Sequence, residues 1–225
     1  MYKKDALSLY MTAFPEDSHD FAADFTNRYF DKSCRYILKD GKLVSMLYLL
    51  DCSLKTEEKN YPAAYLYAAA TLPRYRGQGL MAKLIEKAKE ETVNNGKFLL
   101  TKPATSSLYA YYEQFGFKTC MFKEEYTVSD IPQNGAELSV NDYIILREKF
   151  LKGIPHADLA DLFYHIKGLK LVGNKDFCAA IEMEDGSVKE FLKTEHISSN
   201  KPFAMLMGNS IEDLPEKVYF GFALD

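Results

Sequence analysis

The chain has 225 residues, 47% of them hydrophobic and 27% charged, with a formal net charge of −4 at pH 7. This balance excludes a disordered or collagen-like chain, and no block of one charge sign gives a footprint for nucleic acid. The four cysteines (Cys34, Cys52, Cys120, Cys178) lie far apart with no C-x-x-C spacing, so neither a metal site nor a disulfide scaffold is expected.

Leu7, Tyr10, Met11 and Phe14 recur at helical spacing, which predicts a helix that Pro15 ends. Phe21, Phe25 and Tyr29 predict a second. Residues 34–38 alternate loosely, and Lys39-Asp40-Gly41-Lys42 reads as a tight hairpin turn into a strand over 43–55. A polar turn at 57–60 precedes a second apolar run, 61–72, bounded by Pro73. The apolar stretches 43–50 and 63–70 are too short to span a bilayer. Lys3 and Lys4 are followed by Asp5 rather than by an apolar leader, so a soluble cytoplasmic protein without a membrane partner is expected.

Arg74-Tyr75-Arg76-Gly77-Gln78-Gly79 follows, then a predicted helix over 80–94 with an apolar stripe of Leu80, Met81, Leu84, Ile85, Ala88 and Val93. Asn94-Asn95-Gly96 stops it. Residues 98–100 read as a short strand, 106–115 as an aromatic helix, and Gly116 allows an exit into 117–128. The stretch 129–135 reads as a linker. Ser139-Val140-Asn141-Asp142 resembles a capping box, and Tyr143, Leu146, Phe150 and Leu151 continue that helix. Beyond Pro155 a helix is expected at about 157–166. A strand over 176–183 turns at Glu184-Asp185-Gly186-Ser187 and returns through 188–192. Strand-like runs at 202–207 and 218–224 close the chain. Helix, proline, helix, cysteine and Asp-Gly turn recur in the same order in both halves. A faint internal repeat and two unrelated segments both fit that pattern.

The strand–glycine loop–helix segment carries the chemistry. A helix start has amides without intrahelical partners and about half a positive charge. Two glycines let the backbone approach a ligand at positive φ. Together they suit a pyrophosphate, to which Arg74 or Arg76 could add a charged bond. The dinucleotide fingerprint fits less well, because the strand at 98–100 runs into Thr101 and Lys102 where an acid is wanted. No Gly-Lys-Ser/Thr follows for a triphosphate loop. On the loop alone, a phosphate cradle and a turn that binds nothing both stay open.

Arg74-x-x-Gly77-x-Gly79 matches the Arg/Gln-x-x-Gly-x-Gly/Ala signature of the GNAT superfamily of N-acetyltransferases. Tyr112-Glu113-Gln114-Phe115-Gly116-Phe117 resembles that family's Tyr-Glu-Lys-Leu-Gly-Phe segment, on the right element and in the right order. The resemblance implies an α+β, mixed-sheet GNAT fold over residues 1–130. A smaller GNAT-like α+β half-domain would follow over 136–225. It implies acetyl-CoA as cosubstrate, with no metal. Backbone groups of Ala70, Thr71 and Leu72 would bond the pantetheine arm, and the amides of Arg76, Gly77, Gln78, Gly79, Leu80 and Met81 the pyrophosphate. The strands ending near Leu72 and at 98–100 would splay to admit the arm. Tyr112 would be the acid that protonates the departing thiolate, in preference to Tyr109 and Tyr111. A phenol of pKa about 10 is a donor at neutral pH.

Many members place a Glu on the strand before the loop, and residues 61–71 hold no carboxylate here. Asp51, a water chain and the C-terminal carboxylate at Asp225 remain candidate bases. Asp225 follows from a resemblance to a shortened relative of the enhanced-intracellular-survival type of acetyltransferases, whose chain terminus reaches the active site. That group's further sterol-carrier-like domain is not expected here. No His supports Cys52 as a nucleophile, and His19, His156, His165 and His196 read as surface or satisfied residues. The expected activity is direct acetyl transfer to a primary amine of a small molecule or peptide. A non-catalytic acyl-CoA-binding or regulatory module and an interaction protein are the other readings. Nothing in the residues names the acceptor, and a homo-oligomer is left open.

Overall fold

A computed structural model describes residues 2–159, 168–183, 185–194, 201–209 and 217–221. Two compact units divide these residues. The first holds residues 2–51, 62–117 and 206–209. The second holds the described residues of 52–61, 118–205 and 217–221.

In the first unit, α1 (Lys3–Ala13) and α2 (His19–Ser33) lead into β1 (Cys34–Lys39) and β2 (Lys42–Lys55). Phe14 precedes Pro15 and leaves helical geometry, as steric clash with the proline ring requires. Ser18 then caps α2, its hydroxyl accepting from the Phe21 amide at 3.2 Å. Asp40 and Gly41 both take positive φ (50° and 73°), the geometry of a two-residue turn that matches strand twist. Residues 43–50 of β2 are buried on both faces. Phe25 of α2 packs edge-on against Tyr48, with ring centroids 4.9 Å apart.

β3 (Asn60–Thr71) lies beside β2, and β4 (Phe98–Thr101) pairs with β3 in parallel. The register runs from Ala63↔Phe98 to Leu66↔Thr101 and stops there. β3 carries on to Thr71, and just beyond the last pair Ala68 takes φ +48°. A left-handed alanine costs roughly 1–2 kcal/mol, so the surrounding structure enforces this kink. Between β3 and β4, α3 (Leu80–Glu91) buries Leu80, Leu84, Ile85 and Ala88 and ends before Gly96, at φ +76°. α4 (Ser106–Glu113) follows β4.

In the second unit, β5 (Lys118–Phe122), β6 (Ala136–Glu137), α5 (Val140–Phe150) and β7 (His156–Asp158) precede β8 (Leu169–Gly173). β9 (Phe177–Glu182), β10 (Val188–Lys193), β11 (Pro202–Met207) and β12 (Val218–Tyr219) follow. An antiparallel sheet has the order β10-β9-β8-β6. One core cluster joins Tyr143 of α5 and Leu151, its C-cap, to Leu171, Cys178, Ala180 and Leu192 of that sheet. Another joins Ile131 to Val172, Phe177, Ala179 and Phe191. Ser139 caps α5 as expected, accepting from the Asp142 amide at 3.1 Å and donating to its carboxylate at 2.6 Å. β12 runs parallel to both β5 and β7.

Three expectations change. Ala157 lies in β7 rather than in a helix, because it pairs with Leu54 at the end of β2. The remainder of that helix, from residue 160, falls outside the described residues. The stretch 129–135 is no bare linker: Ile131 is buried, and a Cβ on Gly135 would meet the Phe177 ring at 2.7 Å. β8 is an additional strand, in which Leu169-Lys170-Leu171-Val172 before Gly173 alternates as a strand would.

Charge lies inside the second unit. The Glu190 carboxylate accepts from Tyr143 and Arg147 of α5, both at 2.8 Å, and from Tyr219 of β12 at 3.1 Å. Arg147 is 2% exposed and Glu190 1%. Nearby, the Lys55 ammonium is 3.0 Å from Glu148 and 2.7 Å from Asp158, and His156 Nε2 is 3.4 Å from Glu148. The His156 ring first, then Lys55, lowers the Glu148 carboxyl from 4.5 to about 2.

Removing one member of a buried pair strands the other charge, so Arg147→Met is expected to cost about 3–5 kcal/mol in chemical denaturation. Glu148 has its folded pKa depressed, so its contribution is present above pH 4.5 and lost as pH falls towards about 2. Melting temperature measured against pH should therefore fall less steeply for Glu148→Gln than for the unmodified chain over that window.

Candidate functional site

After Thr71 the chain makes one turn of 3₁₀ helix, Pro73–Tyr75, before the glycines. Gly77 and Gly79 take φ +74° and +69°, and a Cβ added at either would meet nothing within 4 Å. Backbone conformation, not crowding, therefore requires glycine at both. Gly79 is the N-cap of α3, and no side chain caps that helix. Among the described residues, the amides of Gly77, Gln78, Gly79, Leu80, Met81 and Ala82 have no backbone acceptor; the next bond runs from Lys83 to the Gly79 carbonyl at 3.1 Å. Residues 76–79 are exposed and no acid sits in the first turn of α3. The result is an open row of donors at the positive end of a helix dipole.

Several groups expected to face a ligand are engaged within the protein. The Arg76 amide donates to Pro73 O at 3.2 Å, and its guanidinium donates to Thr71 O at 3.1 Å. The Leu72 amide donates to Val44 O at 2.9 Å, and the Thr71 and Ser45 hydroxyls share a 2.8 Å bond. Arg76 thus braces the end of β3, while Gly77 to Met81 present the amides. Ala70 is buried at that strand end.

Tyr112 is the buried tyrosine of α4; Tyr109 and Tyr111 are half-buried. Its ring packs edge-on against Phe117 and Tyr111, at 5.4 and 5.6 Å. The Thr101 hydroxyl donates to Leu66 O at 3.3 Å, and Leu66 and Thr101 are the last β3–β4 pair before those strands part. Burial pushes the Tyr112 pKa up to about 12, nearby Thr101 opposing and Tyr111 adding to that rise. The phenol therefore stays protonated throughout the neutral range. Burial raises the pKa of Tyr109 and Tyr111 as well.

Asp225, His165 and His196 lie outside the described residues. Asp51 is an exposed strand-end carboxylate, 91% accessible and 3.5 Å from Lys97, which is a solvated ion pair rather than a buried base. His19 is exposed, whereas His156 is buried in the second unit. Cys34 and Cys178 are buried, and Cys52 and Cys120 are half-buried. Among the described residues no three His, Cys, Asp or Glu side chains group as metal ligands, and no helix is long and apolar enough to cross a membrane. Sequence reasoning misses Thr101, Ala68 and a bonded trio of Tyr10, Asp17 and Tyr67. Their partners are distant along the chain, so no local pattern marks them.

Residues 2–120 match the family model described as an acetyltransferase (GNAT) domain. The chain belongs to the GNAT family. Solved structures share the fold across more than the matched segment. A GCN5-related N-acetyltransferase from Kribbella flavida is 14% identical, with TM-score 0.64 over 91% of this chain and 69% of that one. Another from Anabaena variabilis is 16% identical, with TM-score 0.62 over 85% and 56%. Eis1 from Mycobacterium abscessus is 12% identical, with TM-score 0.59 over 86% and 57%. No curated protein sequence matches the chain. The GNAT glycine motif is thus placed on the turn where backbone geometry demands it. Gly79→Ala is expected to cost roughly 1–2 kcal/mol through its left-handed backbone alone, read as a lower denaturation midpoint.

Proposed function

We propose that the chain is an acetyl-CoA-dependent N-acetyltransferase acting on a primary amine of a small molecule or peptide. The observation that carries this reading is the row of unpartnered amides from Gly77 to Ala82, opening α3 after a strand that has parted from β4 beyond Leu66. In it, Gly77, Gln78, Gly79, Leu80 and Met81 bind the pyrophosphate through backbone N–H groups. The end of β3, Ala70 to Leu72, lines the pantetheine path, held in shape by Arg76. Acetyl-CoA supplies an acyl group activated as a thioester. Tyr112 supplies a proton at the sulfur, and its raised pKa keeps that proton in place at neutral pH. The parallel stretch of β3 that pairs with β4 ends at Leu66, which leaves the departing strands without shared backbone bonds for the arm to replace.

The absence of any carboxylate from residues 61–71 favours a second reading, an acyl-CoA-binding module without turnover. The α+β half over residues 136–225, a cytoplasmic location and the role of Asp225 belong to the same proposal. The acceptor is defined only as an amine.

Coenzyme A at about 100 times its Kd should stabilise the protein by about 2.7 kcal/mol, read as a thermal shift. No shift would remove both readings. Thiol release from acetyl-CoA with a panel of primary amines then separates them. Tyr112→Phe should lower kcat by about 10²-fold while leaving the coenzyme A shift intact.

A further inference from the structure

The second unit carries an open groove of about 660 Å³ that the chemistry above does not use. One wall is the turn between β2 and β3, residues 55–60. The other is α5 from Ile145 onward with the chain that follows it, as far as His156. At the base of the groove the charges are matched. The Lys55 ammonium reaches Glu148 at 3.0 Å and Asp158 at 2.7 Å, and Leu54 pairs with Ala157. These bonds hold the turn against α5. Thr56 closes the turn itself. Its amide and hydroxyl donate to Lys59 O at 2.9 and 3.1 Å, and the Lys59 amide donates back to the Thr56 hydroxyl at 3.1 Å.

At the rim the charges are sorted by sign and unmatched. The turn presents Glu57 and Glu58, and the opposite wall presents Lys149 and Lys152. All four are exposed, and among the described residues none of their side chains makes an ion pair or a hydrogen bond. Lys59, the other cation of the turn tip, lies over the Tyr61 ring at 4.6 Å and is occupied there. Ile145 and Lys149 share one face of α5 at i, i+4, and Lys152 follows just past the helix cap. Ile145 is 70% exposed in the groove, which leaves a large apolar side chain in water.

A ligand of one charge sign would satisfy one wall and be repelled by the other. A surface that is acidic on one side and basic on the other becomes its own complement when turned by 180°, the condition for an isologous pair. We propose that this groove is the interface of a two-fold dimer, its occupant being the Glu57–Glu58 turn of a second copy of this chain. The turn of each copy meets Lys149 and Lys152 of the other, so the unmatched rim charges become two reciprocal acidic–basic contacts. Ile145 of both copies is covered in the same step. That burial supplies attraction which exposed ion pairs by themselves lack. The charges set the register, because a shifted pairing would bring like charges face to face. The pairing belongs to the second unit and does not depend on the acetyltransferase reading.

Sedimentation equilibrium of the full chain at low salt, with two charge-reversed variants, tests this. One variant is Glu57→Lys with Glu58→Lys, and the other is Lys149→Glu with Lys152→Glu. The four side chains are exposed and unbonded, so both variants should keep the fold, as circular dichroism checks. The unmodified chain should run at twice its 25.7 kDa. Each variant alone should self-associate at least about 100-fold more weakly. An equimolar mixture of the two should recover the dimer, because every turn then meets a helix end of opposite sign. Added sodium chloride should weaken the unmodified dimer by screening those contacts. Ile145→Ser should weaken it as well, with the salt dependence retained. A monomer at every concentration loaded would overturn the proposal and leave the groove to a small zwitterion or to a different protein. A dimer that neither variant disturbs would also overturn it, since the contact then lies on another face. So would a mixture that stays monomeric.

Discussion

Parallel pairing between β3 and β4 stops at Leu66 and Thr101, and the chemistry proposed for the first unit depends on that stop. Each further pair would have satisfied backbone donors and acceptors inside the sheet. Instead Ala68 turns left-handed and the strand departs towards Thr71. The Thr101 hydroxyl holds the last carbonyl, at 3.3 Å. A side-chain bond thus closes the ladder. Arg76 does similar work at the far end by bracing Thr71 O, and Val44 fixes the Leu72 amide. With those positions held, the unpartnered amides at the start of α3 are presented by a rigid frame rather than by a loose loop.

The two units bury polar groups in different ways. In the first, the buried Tyr10 phenol bonds the half-buried Asp17 carboxylate and the Tyr67 hydroxyl. Such an arrangement satisfies a buried hydroxyl without placing an ion pair in the apolar core. In the second, Arg147 and Glu190 are both almost wholly buried, and the carboxylate is satisfied by three donors. Ion pairs this deep gain little net stability, but losing either partner is costly. Because Tyr219 is one of the three donors, the same carboxylate ties β12 to α5 and β10.

Local patterns foretold much of this architecture. The Asp40–Gly41 turn, the Ser139 cap, the apolar stripe of α3 and the glycines at 77 and 79 each depend on residues a few positions apart. The physical rules involved are short-ranged: positive φ, orphan amides, helical spacing. Where the reading missed, the deciding contact was distant. Ala157 became a strand residue because Leu54 pairs with it, and Ile131 left the linker for a core shared with Phe177 and Phe191.

Sequence alone therefore determined the family, the α+β class and the place of the glycine cradle, since two short motifs in the right order carry that information. It also showed that no acid lies on the strand before the loop. Tertiary structure decided which of three neighbouring tyrosines is buried, and that Arg76 serves the frame. It alone brought Tyr10, Asp17 and Tyr67 together, because a hydrogen bond between residues 57 positions apart leaves no periodicity to read.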